Sequence, residues 1–257
     1  MRPTNHFGHE LQSGGWEDFA ILGVLAFATI LAQVFLKARA AHADHVHSPP
    51  LAWMRAGLYF CMVLTVSWLA GVLRVLLHSP LVSAGQMADP LWRILTLLCI
   101  ALVVWGYVVW WPRGTLTYDR KLYPVPQILF GLAWGTCSSQ VPLILWAVVE
   151  GFGFGRWINL FLVLFLLSGF SQIYQSGWWD IHVSPPHNVR AWNVKKVLFG
   201  HMPFLLATLA HLALFGNAAI FVMLHAAAMA CSTLAMRFPP FWEKDGPPVS
   251  RETAIGV

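Results

Sequence analysis

The residues with the most chemical capacity in this chain are histidines with carboxylates spaced among them. Residues 178–190 read Trp-Trp179-Asp180-Ile-His182-Val-Ser-Pro-Pro-His187-Asn188-Val-Arg190, and His201 follows one short segment later. Neutral imidazole is the commonest side-chain metal ligand, and mixed imidazole and carboxylate ligation suits iron and zinc. Asp180, His182, His187 and His201 are therefore a candidate metal set, with iron as the first choice. Asp180 beside His182 also reads as a carboxylate-oriented general base that needs no metal. On either chemistry Asp180, His182 and His187 are the candidate catalytic residues. The prolines Pro185 and Pro186 restrict the backbone between them.

A polar face leads into this segment. Ser168, Ser171, Gln172 and Gln175 follow the i, i+3, i+4, i+7 spacing of one helix face. With Tyr174, Trp179 and Asn188 nearby in sequence, the expected substrate contacts are Gln172, Tyr174, Gln175, Trp179 and Asn188. A second histidine-rich stretch, Ala-His42-Ala-Asp44-His45-Val-His47, has Ala-rich flanks that give no rigid frame, and it reads more simply as a solvated loop. Ser138, Ser139 and Gln140 form a further polar group inside an apolar run.

His211 and His225 stand apart, inside the last two apolar runs. At 1.5 Å per residue they fall about 8 Å and about 12 Å from the turn joining those runs. Such a pair could ligate haem b or copper. The plainer use is an interhelical hydrogen bond or a bond to a hydroxyl such as that of Thr208, common glue between membrane helices. The four cysteines, Cys61, Cys99, Cys137 and Cys231, lie in apolar segments without a CxxC pair and read as packing groups.

The elements that must position these residues are membrane helices. Of 257 residues, 58% are hydrophobic and 11% charged. Soluble domains carry about 25% charged residues, so lipid must replace water around most of this chain. A bilayer core of about 30 Å needs about 20 apolar residues per helix. Seven windows satisfy this: roughly 18–38, 54–77, 91–111, 127–149, 156–175, 196–215 and 217–236. Ser79-Pro80, Trp111-Pro112, Gly151 to Gly155 and Gly216-Asn217 separate them. The expected fold is an all-α integral membrane protein, a single transmembrane domain over 1–257 with seven helices, an outer tail 1–17 and a cytoplasmic tail 238–257.

Orientation follows from the basic residues. Lys37, Arg39 and Arg55, then Arg113, Arg120 and Lys121, then Arg190, Lys195 and Lys196, and finally Arg237, Lys244 and Arg251 mark alternate connections and the C-terminal tail. Segments 78–90, 151–155 and 216–217 contain no Lys or Arg. The N-terminus is then expected outside, and the C-terminus and the 178–190 segment in the cytoplasm. Most of the 14 Trp fall near these boundaries, where the amphipathic indole is favoured. Trp68, Trp134 and Trp146 lie deeper. The Met1 to Trp16 segment lacks the layout of a cleaved signal peptide.

The net charge of +5 sits at the ends of apolar runs rather than in a basic block, which argues against a nucleic-acid partner. The expected partners are the bilayer itself, a hydrophobic small-molecule substrate and membrane-complex subunits, in an inner or plasma membrane. The leading functional expectation is an enzyme that modifies a lipid or isoprenoid-like substrate at the cytoplasmic face, with an iron-dependent hydroxylase or oxygenase as the oxidoreductase form. Several histidines at one membrane face make the chain similar to membrane di-iron hydroxylases and desaturases. It lacks their repeated HxxHH boxes, so no residue role carries over. The alternatives are a haem- or copper-binding electron-transfer subunit built on His211 and His225, or a transporter or complex subunit without catalysis. No internal repeat supports a transporter.

Overall fold

A computed structural model describes residues 19–27, 30–31, 49–78, 81–113, 121–168 and 190–243, and all regular structure among them is helical. Residues 19–27 form α1. Then follow α2 (Pro49–Leu69), α3 (Val72–His78), α4 (Ala84–Ala88) and α5 (Pro90–Val103), which runs on through a π-helical segment, Val104–Trp110. After these come α6 (Pro124–Ser138), α7 (Gln140–Gly151) and α8 (Arg156–Ser168). Helix α9 (Arg190–Lys196) continues through a second π-helical segment, Val197–His201, into α10 (Met202–Phe215), and α11 (Ala218–Ala235) ends the bundle.

Five helices are long and apolar enough to cross a membrane: Ala52–Leu69, Pro90–Trp110, Pro124–Gly151, Val194–Phe215 and Ala218–Ala235. The chain is thus an integral membrane protein. The expected first and fifth spans are described only in part, as α1 and as α8, which is shorter than a full crossing. The expected span 54–77 is not one straight helix. It breaks at Ala70-Gly71, where Gly71 takes φ 75°, a left-handed conformation that side-chain-bearing residues rarely adopt.

Polarity is distributed as lipid requires. Ile94 and Leu97 on α5 and Phe161 and Phe165 on α8 are exposed, whereas Ser67, Gln140, Thr208, His211, His225 and Thr233 are buried. A membrane helix turns its polar groups toward protein, because hydrocarbon offers them no partner.

Helices α6 and α11 make the closest contact. Gly131 and Gly135 on α6 meet Ala230 and Ala226 on α11, so small residues face each other at a spacing of four on both helices. Without a hydrophobic drive between lipid-solvated helices, this close backbone approach is what van der Waals association needs. The Thr233 hydroxyl adds a bond across the same interface, donating to the Gln127 carbonyl at 2.7 Å.

The polar group 138–140 resolves into a helix junction. Pro142 has no N–H, and its ring would collide with the carbonyl four residues earlier, so α6 stops at Ser138 and α7 restarts at Gln140. Side chains cover the loosened backbone: Ser139 Oγ and Gln140 Nε2 both donate to the Thr136 carbonyl, at 2.7 and 3.0 Å. Gln140 Oε1 then accepts from Ser67 Oγ on α2 at 2.8 Å. Ser67→Ala is expected to cost about 0.6–1.7 kcal/mol, the range for polar bonds between membrane helices. Denaturant titration in mixed micelles reads it, and Gln140→Leu added to Ser67→Ala should cost less than the sum of the two singles.

At one end of the bundle Gly216, at φ 62°, closes α10, and Asn217 caps α11 by accepting from the Ile220 N–H at 3.0 Å. The real break between the last two helices lies there. Asn217 Nδ2 also donates to the Leu81 carbonyl at 2.9 Å, and Gln86 Nε2 to the Phe215 carbonyl at 3.2 Å, which ties the connection after α3 to this turn. At the other end α11 closes with the Phe238 N–H on the Thr233 carbonyl and the Arg237 N–H on that of Leu234. Arg237 takes a positive φ of 53° there. Non-glycine residues pay about 1–2 kcal/mol for it. The turn lays Pro239 over α2, where its carbonyl accepts from Trp53 Nε1 at 2.9 Å.

Contacts along the helices fix their relative directions. Thr96 meets His211 and Tyr107 meets His201, so α5 and α10 are antiparallel. Trp53 meets Phe130 and Ser67 meets Gln140, so α2 and the α6–α7 pair are parallel. These directions agree with the alternation of loop charges. Arg113, Lys121, Lys195 and Arg237 belong to the end that holds Trp53 and Pro239.

Candidate functional site

Two π-helical segments face each other near the basic end. Pro203 in the first turn of α10 leaves the carbonyl four residues back, that of Phe199, without its helical donor. The Val197–His201 segment widens at this point, and Trp105 Nε1 from α5 donates to the Phe199 carbonyl at 3.1 Å. The opposing Val104–Trp110 segment ends with the Trp111 N–H on the Gly106 carbonyl, a five-residue reach, at 2.9 Å. Gly106 and Gly200 lie backbone to backbone: a Cβ on Gly106 would stand 3.1 Å from the Gly200 oxygen. Single π turns of this kind occur often at functional sites, because they re-aim side chains that a regular helix would direct elsewhere.

The side chains so aimed are Tyr107 and His201. Tyr107 Oη and His201 Nδ1 are 2.6 Å apart, a short hydrogen bond whose proton position depends on the imidazole tautomer. Tyr107 is buried, and its ring packs on Trp111 and Phe204 at 5.0 and 5.3 Å. Phe204 in turn touches His225 of α11, with ring centroids 4.9 Å apart. A layer of Tyr107, His201, Phe204 and His225 therefore spans three helices.

His225 has a defined tautomer. Its Nδ1 is 2.9 Å from the Phe221 carbonyl, which can only accept, so a neutral ring carries its proton on Nδ1. Nε2 is then an acceptor. It is buried and meets no donor among the described residues.

His211 is held differently. Its Nε2 bonds Thr96 Oγ1 of α5 at 3.0 Å, and its ring lies edge-on to Trp92. His211 and His225 thus have separate partners: the face of α10 that carries His211 turns to α5, while His225 turns to Phe204. Thr208 bonds backward to the Phe204 and Leu205 carbonyls of its own helix rather than to either imidazole.

Asp180, His182, His187, Gln172, Tyr174, Gln175, Trp179 and Asn188 lie outside the described residues, as do His42, Asp44, His45 and His47. Among the described residues, no group of three His, Cys, Asp or Glu side chains converges on one point. All four cysteines are free; Cys99 and Cys137 are buried, Cys231 is partly buried and Cys61 is exposed. Trp134 stacks on Phe130 and Tyr59 inside an aromatic cluster, and Trp68 is exposed.

Two residues of this region carry more than the sequence suggests. Tyr107 sits in an unbroken apolar run, and only its hydroxyl marks it; the Gly106 and Gly200 pair was the other available signal. Lys196, a topology marker in the sequence reading, is fully buried. The neighbouring cations do behave as interfacial groups: Lys195 lies 4.9 Å over the Trp192 ring and Arg113 5.1 Å over Trp110.

Fold and site together define a helical integral membrane protein with a histidine-bearing interior. No protein-family model, curated protein or solved structure matches the chain.

Proposed function

We propose that this protein is a membrane-embedded enzyme acting on a lipid or isoprenoid-like substrate, with its working end at the basic, cytoplasmic face of an inner or plasma membrane. The finer topology, seven spans with the N-terminus outside, belongs to the same proposal. The observation that carries it is the short Tyr107–His201 bond where two π segments meet. A half-buried imidazole held by a buried phenol is a proton-handling unit in surroundings that suit an apolar substrate.

In sequence His201 follows directly from the segment bearing Asp180, His182 and His187. In the proposal those three residues act with His201, and Gln172, Tyr174, Gln175, Trp179 and Asn188 orient the substrate. Its oxidoreductase form adds iron on Asp180, His182, His187 and His201. Three imidazoles and a carboxylate are mixed nitrogen and oxygen ligation of the kind that suits iron. Hydroxylation would place one atom of dioxygen on the substrate and release the other as water, with two electrons from an external donor.

Comparative lipid profiling tests this reading. Membranes of cells that express the chain should contain a lipid species lacking in cells that express the His182→Ala, His187→Ala chain. Oxygenation predicts a gain of one oxygen in mass and stoichiometric iron in the purified protein. Identical lipid profiles would remove the enzymatic reading.

A second reading, a haem- or copper-binding electron-transfer subunit, is favoured by one detail. A metal-ligating histidine commonly donates its other N–H to a carbonyl, as His225 does to Phe221. Against the pairing stands His211, whose Nε2 is bonded to Thr96. A visible absorption band in the purified protein would favour this reading.

A further inference from the structure

The bundle interior of this protein holds one imidazole nitrogen whose hydrogen-bonding role is fixed and which meets no partner among the described residues: Nε2 of His225. Its tautomer follows from Nδ1, which donates to the Phe221 carbonyl. The rings of Phe204 and Phe221 flank the imidazole at 4.9 and 4.2 Å, and neither has a proton to give. A buried acceptor left without a donor costs stability, and hydrocarbon supplies no donor.

We infer that this site takes the hydroxyl group of an otherwise apolar alcohol or phenol, with Nε2 of His225 as its acceptor. The inference rests on the reading of the protein as an enzyme for a hydrophobic substrate, and it names that substrate's polar end. A ketone, aldehyde or ester brings only acceptors and would face Nε2 lone pair to lone pair. A hydroxyl brings the missing proton and tolerates apolar walls around the rest of the molecule. A site built to bond a hydroxyl discriminates strongly against the analogue without one, because the buried partner is then left unpaired.

Phe204 also links this site to the Tyr107–His201 pair. Phe204 touches both Tyr107 and His225, so its ring is the partition between the two polar groups. The helix that carries Phe204 begins in the π segment at the Gly106–Gly200 contact, where the closest neighbours are backbone atoms without side chains to interlock.

The test uses the full chain in lipid nanodiscs with two probes that share a tail, farnesol and farnesal. With 15N-histidine labelling, farnesol should shift the His225 Nε2 resonance in the direction of hydrogen-bond acceptance and raise Tm by a few degrees, as binding to the folded state requires. Farnesal should do neither. His225→Phe should abolish the farnesol rise in Tm, and His225→Gln, which places an amide oxygen near the position of Nε2, should retain most of it. Equal responses to both probes, or a farnesol response that survives in His225→Phe, would overturn the inference. So would a cobalt(II) visible band that disappears in His225→Phe, which would make the nitrogen a metal ligand. If His225→Phe does not fold, the wild-type resonance, assigned through His225→Gln, decides alone. The His182→Ala, His187→Ala chain should respond to farnesol as wild type does. A lost lipid product with this response intact thus separates failure of the enzyme reading from failure of the hydroxyl site.

Discussion

Replacing Gly135 with leucine should separate α6 from α11 and cost more than any other single change considered for this protein. A Cβ at Gly135 would fall on the His225 carbonyl oxygen and 2.8 Å from the Ala226 nitrogen, and one at Gly131 would fall on the Ala230 Cα. These neighbours are backbone atoms of α11 and cannot move as a side-chain tip can. Forcing extra atoms into a packed interface costs about 1–3 kcal/mol, and more where backbone must shift. Gly135→Leu is therefore expected at about 3 kcal/mol or above, and Gly135→Ala somewhat below it. Gly57 on α2 is the control, since a Cβ there meets open space and Gly57→Leu should be near neutral. Denaturation in mixed micelles measures all three. A Gly135→Leu protein as stable as wild type would mean that α6 and α11 do not meet through these residues. The change also reaches the hydroxyl site, because His225 sits on the turn of α11 that Gly135 touches.

The second large effect concerns turnover. His201→Ala should lower formation of the lipid product by about 10²–10⁴-fold, the contribution of a positioned acid or base. Tyr107→Phe removes the partner at 2.6 Å while keeping the buried ring, and should lower it by about tenfold. Tyr107 acts here through His201 and is a positioning residue. Loss of its hydroxyl should therefore change the pH profile of product formation as well as its amount. A purely structural role would scale the rate and leave the profile unmoved. His211→Ala provides the contrast: its imidazole bonds Thr96 in a different part of α10, so stability should fall while the pH profile stays.

How much of this was legible beforehand depends on range. The all-helical membrane class was readable because it rests on composition: a chain with 11% charged residues cannot clothe itself for water. The breaks at Gly216-Asn217 and after Trp111 were readable because glycine, asparagine and proline act on the backbone within a turn of themselves. The kink at Gly71 was not, since an apolar run with a single glycine resembles an unbroken span until its φ is seen.

The site divides in the same way. The histidines could be named from the sequence, but their grouping could not. Depth along the helices put His211 beside His225, whereas the rotation of α10 sends His211 toward Thr96 and brings Phe204 toward His225. Depth follows from counting residues; facing follows from which neighbour each helix packs on, and that is a property of the whole bundle.

The sequence by itself thus determined the solvent of this protein, the relative directions of its five described membrane-length helices and the chemical groups available to it. Hydrophobicity, loop charge and residue type are local quantities that need no partner to be read. Only the tertiary structure decided that two π turns meet at Gly106 and Gly200, that Tyr107 holds His201, and that His225 keeps an acceptor in the bundle interior. The first two depend on residues 94 apart in the chain, and the third on a ring from the neighbouring helix, coming within a few ångströms, which helix packing alone arranges.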